Sequence, residues 1–358
     1  MVKILMLVNW KVRYCDQVPS DLQPPDYYVD GKPYWFFRYF NNQCDVDVVD
    51  ISSLPAIENI EKEGLRFYII QTLRVIPRLN KYDCIISHGV QSGILLSLWR
   101  RLFKTKSKHI VFDIGSFASA SEDGLALQLM QYASKSIDGL IYHTSCQLDY
   151  YCKYFPWLVE RSAFIPFGAD LDFFQPDGIE PHREAFPYFT CIGAGKRDWD
   201  TLIAAYSQID TEVRLKLIGH VDDKYKGIPG VDMLPHVPVN VMKSYIAGAS
   251  FCVLPLEVFN YSYGQMTFMQ QMAMGKCVIA AKVPSLLDYA IDGESALFYE
   301  PKDVASLKRC IQMVIEDKAL RDRIAMHAPR WLADNRSESH MAEKVEDFIR
   351  QLIGNNVG

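Results

Sequence analysis

A chain of 358 residues with 49% apolar side chains has the material for two ordinary domains of about 150 to 200 residues each, so it is not a small scaffold that needs stapling. A net charge of -5 and an isoelectric point near 5.9 give no electrostatic case for a nucleic-acid partner. Nine cysteines, odd in number and never spaced C-x-x-C, argue for a reducing cytoplasm and against a zinc site.

The apolar run Val2 to Val8 is too short for a signal sequence or a membrane span, and no later run approaches the length of a span. It reads as a first strand, and further β-rich runs follow at 45–51, 83–87, 109–114 and 139–144, with helical segments between them. Alternation of this kind means a parallel sheet wound with helices. Asn9-Trp10-Lys11 follows the first strand. Tyr27, Tyr28, Tyr34, Trp35, Phe36, Phe37, Tyr39 and Phe40 form the densest aromatic stretch, either rings that stack on a sugar or lipid-like acceptor, or the core face of a helix. His88 follows the strand 83–87 and so lies at a carboxyl end, where it can face a cleft. Asp113, near the end of its own strand, can orient a hydroxyl or take its proton, or cap local amides instead. Trp99 to Lys108 mixes five cations with three large apolar residues, a pattern that suits an anionic lipid surface or a solvated helix end.

The alternation breaks at Ile165-Pro166-Phe167-Gly168 through Pro176 and then resumes with strands at 189–192, 214–218, 251–255 and 277–281. Each half should carry its own sheet. Gly193-Ala194-Gly195-Lys196-Arg197 follows a strand and opens a helix, the context a phosphate-holding loop requires. Arg197 there can hold two phosphate oxygens in a fork, or pair in solvent with Asp198 or Asp200; Lys196 can reach phosphate or solvent. The stretch from Phe251 to Ala281 reads as strand, helix opening at Tyr263, glycine stop at Gly275, and strand. That helix start should meet an anion such as a nucleotide diphosphate. Ser262 and Gln265 also fit a purely structural capping box, while Gly264 in the first turn costs stability and implies that something needs the space.

Several of these segments together resemble retaining glycosyltransferases of family 4. Ile165 to Pro176 is similar to the family's I-P-N-G-V-D-x-x-x-F-x-P, Ala249 to Pro255 to A-D-x-F-V-x-P, Gln270 to Lys276 to E-A-M-A-x-G-x, and Asp292 to Asp303 to D-G-x-x-G-x-x-x-x-P-x-D. The resemblance spans roughly the last 220 residues. It places Arg197 where the family has the lysine of the donor diphosphate, and Ser262 and Gln270 where it has two glutamates, near the transferred sugar and on the nucleotide ribose. Neither residue is acidic here. An amide at Gln270 can still serve a ribose diol, and Tyr263, Gln265 or the backbone of Gly264 can contact the sugar.

The resemblance implies a GT-B fold, two Rossmann-like domains facing a cleft. Residues 1–168 would bind the acceptor, 169–338 the donor, and a helix at 339–358 would pack back toward the first domain. Transfer with retention from a nucleotide-diphosphate sugar to an acceptor hydroxyl is the implied activity. Arg197, Asp113 and His88 are the catalytic candidates; Gly193, Gly195, Lys196, Arg197, Ser262, Tyr263, Gly264, Gln265 and Gln270 are the donor-binding candidates. Neither metal nor cofactor is expected. The acceptor would be a sugar, lipid-linked or small molecule, and the location cytoplasmic with peripheral membrane contact open. Two rivals are a nucleotide-sugar-binding protein without transferase activity and a sugar-nucleotide epimerase.

Overall fold

The structure is a computed structural model that describes residues 1–53, 58, 61, 67–115, 122–193, 195–259 and 261–354. Ala194 of the glycine loop and 355–358 of the expected last helix lie outside those residues. Strands β1 (Val2–Leu7), β4 (Cys44–Val49), β5 (Cys84–His88), β6 (Lys108–Asp113), β7 (Gly139–Tyr142) and β8 (Ser162–Phe164) form one parallel sheet in the order β4-β1-β5-β6-β7-β8. A two-stranded ribbon, β2 (Arg13–Cys15) and β3 (Tyr27–Val29), stands apart. A second parallel sheet runs β11-β10-β9-β12-β13-β14, from β9 (Tyr188–Ile192), β10 (Arg214–Ile218), β11 (Val231–Leu234), β12 (Cys252–Leu254), β13 (Val278–Ala281) and β14 (Leu297–Tyr299).

The central strands are apolar throughout because both their faces are covered. In β1, Ile4 and Met6 enter one core cluster while Leu5 and Leu7 enter another. Helices between the strands supply the covers, among them α1 (Val90–Leu102), α2 (Gly124–Ser134), α3 (Gln147–Tyr154), α4 (Trp199–Tyr206), α5 (Val239–Gly248), α6 (Gln265–Ala273), α7 (Val304–Glu316) and α8 (Lys318–Asn335). No helix among the described residues is long and apolar enough to cross a membrane. Strands β8, β11 and β14 escape sequence pattern because three or four residues, one set containing Asp232, are too few to show a period.

Strand order reverses between β1 and β5 in the first sheet and between β9 and β12 in the second. Such switch points open a crevice at the carboxyl ends of the strands, because the two flanking connections leave in opposite directions. His88 ends β5, and the loop from Gly193 leaves β9.

The chain crosses between the two sheets twice, side by side. Ala169 donates to the Arg336 carbonyl at 2.7 Å, and Glu338 donates to the Ala169 carbonyl at 2.9 Å. A Cβ on Gly168 would lie 2.3 Å from the Glu338 Cα, so glycine alone permits that approach. Tyr289 ties the same point, donating its hydroxyl to the His143 carbonyl at 2.6 Å and accepting from the Phe167 amide at 3.0 Å. From there the last helix, α9 (Glu338–Gly354), lies on the first sheet's side. Glu346 accepts from the amides of Asn41 and Asn42 at 2.8 and 3.0 Å, and the Phe348 and Leu352 side chains lie over Gly139.

Arg38 bridges both crossings, at 2.8 Å from Asp170 and 2.7 Å from Glu338. One guanidinium cannot neutralise two buried carboxylates, and Asp170 Oδ2 finds no hydrogen-bond partner among the described residues. Burial, with Asp170 adding to it and Arg38 opposing it, pushes the Glu338 carboxyl up to about 8 from the usual 4.5. Between those two values the folded chain holds a proton that the unfolded chain has already released, so this group's contribution to stability falls as pH rises through that window. Burial raises Asp26 to about 6 and adds a slope of the same sign at lower pH. Glu338→Gln should therefore flatten the decline in denaturation midpoint between about pH 5 and 8. Parallel slopes in variant and wild type would show that Glu338 is ionised throughout.

Candidate functional site

At the second sheet's switch point the loop after β9 is tied to the loop after β12. Asp198 donates its amide to the Pro255 carbonyl at 2.9 Å, and Arg197 and Leu256 form an isolated antiparallel bridge. Asp198 then caps α4, accepting from the Thr201 amide at 3.2 Å and its hydroxyl at 2.7 Å. Asp200 takes the Tyr225 hydroxyl and the Lys224 ammonium. Both acids near Arg197 are thus engaged elsewhere.

Arg197 is 8% exposed and has no carboxylate partner among the described residues. Its guanidinium donates to the Ile192 carbonyl at 3.2 Å, the Gly195 carbonyl at 3.4 Å and the Thr267 hydroxyl at 3.4 Å. Thr267 lies in the first turn of α6, so the cation sits against that helix's amino end. Gly193 makes this possible, since at φ 140° a Cβ there would fall 2.4 Å from Arg197 Nη2. A full positive charge and unpaired helix amides face the same space, which favours a multivalent anion.

Lys196 is an exposed residue whose ammonium is nonetheless turned onto aromatic rings. At φ 58° it turns its ammonium into three aromatic rings, 4.6 Å from the centroid of Phe259, 4.3 Å from Tyr261 and 4.7 Å from Tyr263. It also bonds the Tyr261 hydroxyl, and burial lowers its pKa. Tyr263 donates to the Gly195 carbonyl. The Tyr261 ring packs on Gly115 of the first domain, where a Cβ would approach within 2.5 Å, so this aromatic lip already spans the cleft.

Helix α6 starts at Gln265, two residues later than its sequence suggests, and its cap is Gly264 at φ 85°. No capping box forms. Ser262 Oγ is buried without a partner, and Gln265 donates instead to the Ser285 carbonyl at 3.0 Å. Gly264 is required by its left-handed backbone and by the Leu256 side chain, 2.5 Å from where a Cβ would stand. Gln270, 8% exposed, donates its Nε2 across the domains to Gln23 Oε1 at 3.1 Å. Sequence gave no signal for Gln23, which lies in the connection between β2 and β3.

On the first domain, His88 sits at the base of its switch point. Asn9 Oδ1 lies 3.3 Å from its Nδ1, Trp10 and Trp35 pack around the ring, and its buried Nε2 has no hydrogen-bond partner among the described residues. Burial, with His143 adding to it, lowers its pKa to about 3. Asp113 is drawn the other way, into a fully buried network. It accepts from the Gly115 amide at 3.0 Å, from Gln147 Nε2 at 3.3 Å and from the Tyr151 hydroxyl. This is the backbone-capping alternative for a strand-end aspartate rather than a side chain presented to the cleft. Of the candidates, Gly193, Gly195, Lys196, Arg197, Tyr263 and Gly264 converge at the second switch point, Gln270 lies one to two turns along α6, His88 faces from the other domain, and Ser262, Gln265 and Asp113 point into protein. Ser145 joins the domains, its amide and hydroxyl donating to Asp288 at 2.8 and 3.0 Å.

Residues 187–317 match the family model described as "Glycosyl transferases group 1". No curated protein sequence matches the chain. Among solved structures, sucrose-phosphate synthase from Thermosynechococcus elongatus superposes with a TM-score of 0.71 at 17% identity, covering 99% of this chain and 100% of that one. HepE of Anabaena, solved in complex with UDP, gives 0.68 at 13% identity, covering 98% and 100%. The catalytic domain of starch synthase IV from Arabidopsis thaliana, bound to ADP and acarbose, gives 0.60 at 13%, covering 82% and 78%. The fold is GT-B, two Rossmann-like domains.

A buried, unprotonated His88 has a direct spectroscopic consequence. Its imidazole signals, and those of His143, which burial also lowers to about 3, should stay fixed between about pH 5 and 8. A His88 that titrates near 6.5 would place hydrating water at the base of the cleft.

Proposed function

We propose that the chain transfers a sugar from a nucleotide-diphosphate sugar to an acceptor hydroxyl, as a metal-independent family 4 glycosyltransferase. The observation that carries this is Arg197, a buried guanidinium with no carboxylate partner among the described residues, set against a helix amino end at the second switch point. The match of residues 187–317 to group 1 glycosyl transferases supports it, as do neighbours solved with UDP or ADP. Retention of anomeric configuration rests on the sequence resemblance to family 4.

Residues 169–338 would hold the donor, with the diphosphate against Gly193, Gly195 and Arg197 and the ribose near Gln270. Residues 1–168 would hold the acceptor, with His88 as a neutral hydrogen-bonding group toward its hydroxyl. As the sugar-phosphate bond breaks, negative charge grows on the diphosphate, and a preorganised cation in a water-poor crevice stabilises that state more than the ground state. The protein supplies this charge itself, so the reaction needs no divalent ion.

A cytoplasmic location with peripheral membrane contact is part of the same proposal. Leu102 and Phe103, 71% and 49% exposed at the end of α1, lie beside Arg101, Lys104 and Lys106 and suit an acceptor presented at an anionic lipid surface. The chain should co-sediment with anionic vesicles more than with neutral ones, and Leu102→Glu with Phe103→Glu should abolish the difference.

Incubation with a panel of nucleotide sugars tests the reaction: a transferase slowly hydrolyses one donor, an epimerase converts it without releasing nucleotide, and a binding protein does neither. With the donor known, Arg197→Ala should depress kcat by about 10²- to 10³-fold, and Arg197→Lys should retain part of the activity. Chelator should leave wild-type rates unchanged. Full activity in Arg197→Ala, or loss of activity with chelator, would overturn this mechanism.

A further inference from the structure

The connection between β2 and β3 reaches out of the first domain and touches the second. Two donors hold it there, Nε1 of the half-buried Trp10 at 3.2 Å and the hydroxyl of the buried Tyr34 at 2.7 Å, both on the Pro25 carbonyl. The Asp26 amide closes a turn on the Gln23 carbonyl at 2.8 Å. Pro24 then backs onto Met266, Met269 and Gln270 of α6, and Gln23 Oε1 accepts from Gln270 Nε2.

This contact leaves a specific pair of groups unused. Gln23 Nε2 and Gln270 Oε1 have no protein partner among the described residues, so the pair presents one donor and one acceptor, contributed by different domains. Interchanging oxygen and nitrogen on both amides gives the same complement, so the argument does not depend on how either amide is turned. The cavity that Pro24 and Gln270 line with Met266 and Met269 is about 10 Å³, room for one water at most and too small for a sugar ring.

A vicinal diol matches one donor beside one acceptor, because each hydroxyl can accept from one and donate to the other. We infer that Gln23 is a nucleotide-binding residue supplied by the first domain, and that Gln23 and Gln270 together clamp the ribose 2′,3′-diol of the donor. This rests on the proposed use of a nucleotide sugar. The clamp exists only when the two domains are together, so donor affinity is tied to domain closure, and it selects ribonucleotides over their 2′-deoxy counterparts.

Calorimetric binding of UDP, ADP and GDP, and of the 2′-deoxy form of each that binds, tests this on the full chain. Wild type should prefer the ribonucleotide by about 2- to 12-fold, the worth of one neutral hydrogen bond. Gln23→Ala should bring that ratio close to 1 while leaving binding of the diphosphate detectable. Gln23→Met keeps the length and volume of the side chain but can neither donate to nor accept strongly from a ribose hydroxyl, so it should melt close to wild type and still lose the preference. An unchanged ratio in both variants would overturn the role of Gln23 and leave the nucleotide-sugar reading standing. Failure of wild type to bind any of the three nucleotides would overturn both.

Discussion

The side-by-side crossing of the chain at Ala169 and Ser337 is the constraint from which the rest of the molecule follows. Two parallel sheets joined by one linker could face each other at many angles, each with little preference. Two crossings that exchange backbone hydrogen bonds leave far less freedom, and the close approach of Gly168 to Glu338 and the Tyr289 hydroxyl on both His143 and Phe167 remove more of it. The outcome is that the switch point of one sheet opens toward the switch point of the other. Arg38, sharing itself between Asp170 and Glu338, places an incompletely neutralised pair of acids at this joint. Such a pair costs stability when both are ionised, and that cost falls at the joint between the two domains.

Opposite conditions hold at the two cleft walls. On the second domain a guanidinium is buried with no acid paired to it among the described residues, because Asp198 is consumed in capping α4 and Asp200 in binding Tyr225 and Lys224. On the first domain a histidine is buried and uncharged. A cation on one wall and a neutral hydrogen-bonding ring on the other suit an anionic ligand held by the second domain and an uncharged one held by the first. The lip of Phe259, Tyr261 and Tyr263 around Lys196 keeps a second cation close by and partly desolvated.

The positions that depart from the resembled family are also positions where the two domains meet or where the backbone is special. Gln270 replaces an acid and bonds the first domain through Gln23. A carboxylate there could accept from the Gln23 amide but could not donate to it, so an amide at 270 is the side chain that can take either role in this contact. Ser262 replaces the other acid and is buried without a partner beside the left-handed Gly264, whose conformation, rather than a serine cap, starts α6.

Alternation of short apolar strands with helical segments was enough to read two wound parallel sheets from the chain, because strands covered on both faces must be apolar along their whole length. Gly193 and the helix stop at Gly275 were legible for a similarly local reason, since each has a positive φ that few other residues adopt. Tertiary structure decided the remainder. Nothing near Gln23 in the chain marks it as a partner of Gln270, 247 residues away. No local pattern says that Asp113 is claimed by Gln147 and Tyr151 while Nε2 of His88, at the end of the adjacent strand, meets no hydrogen-bond partner among the described residues. Whether a polar side chain is spent inside the protein or left for a ligand depends on which neighbours the fold brings to it, and those neighbours come from distant parts of the chain.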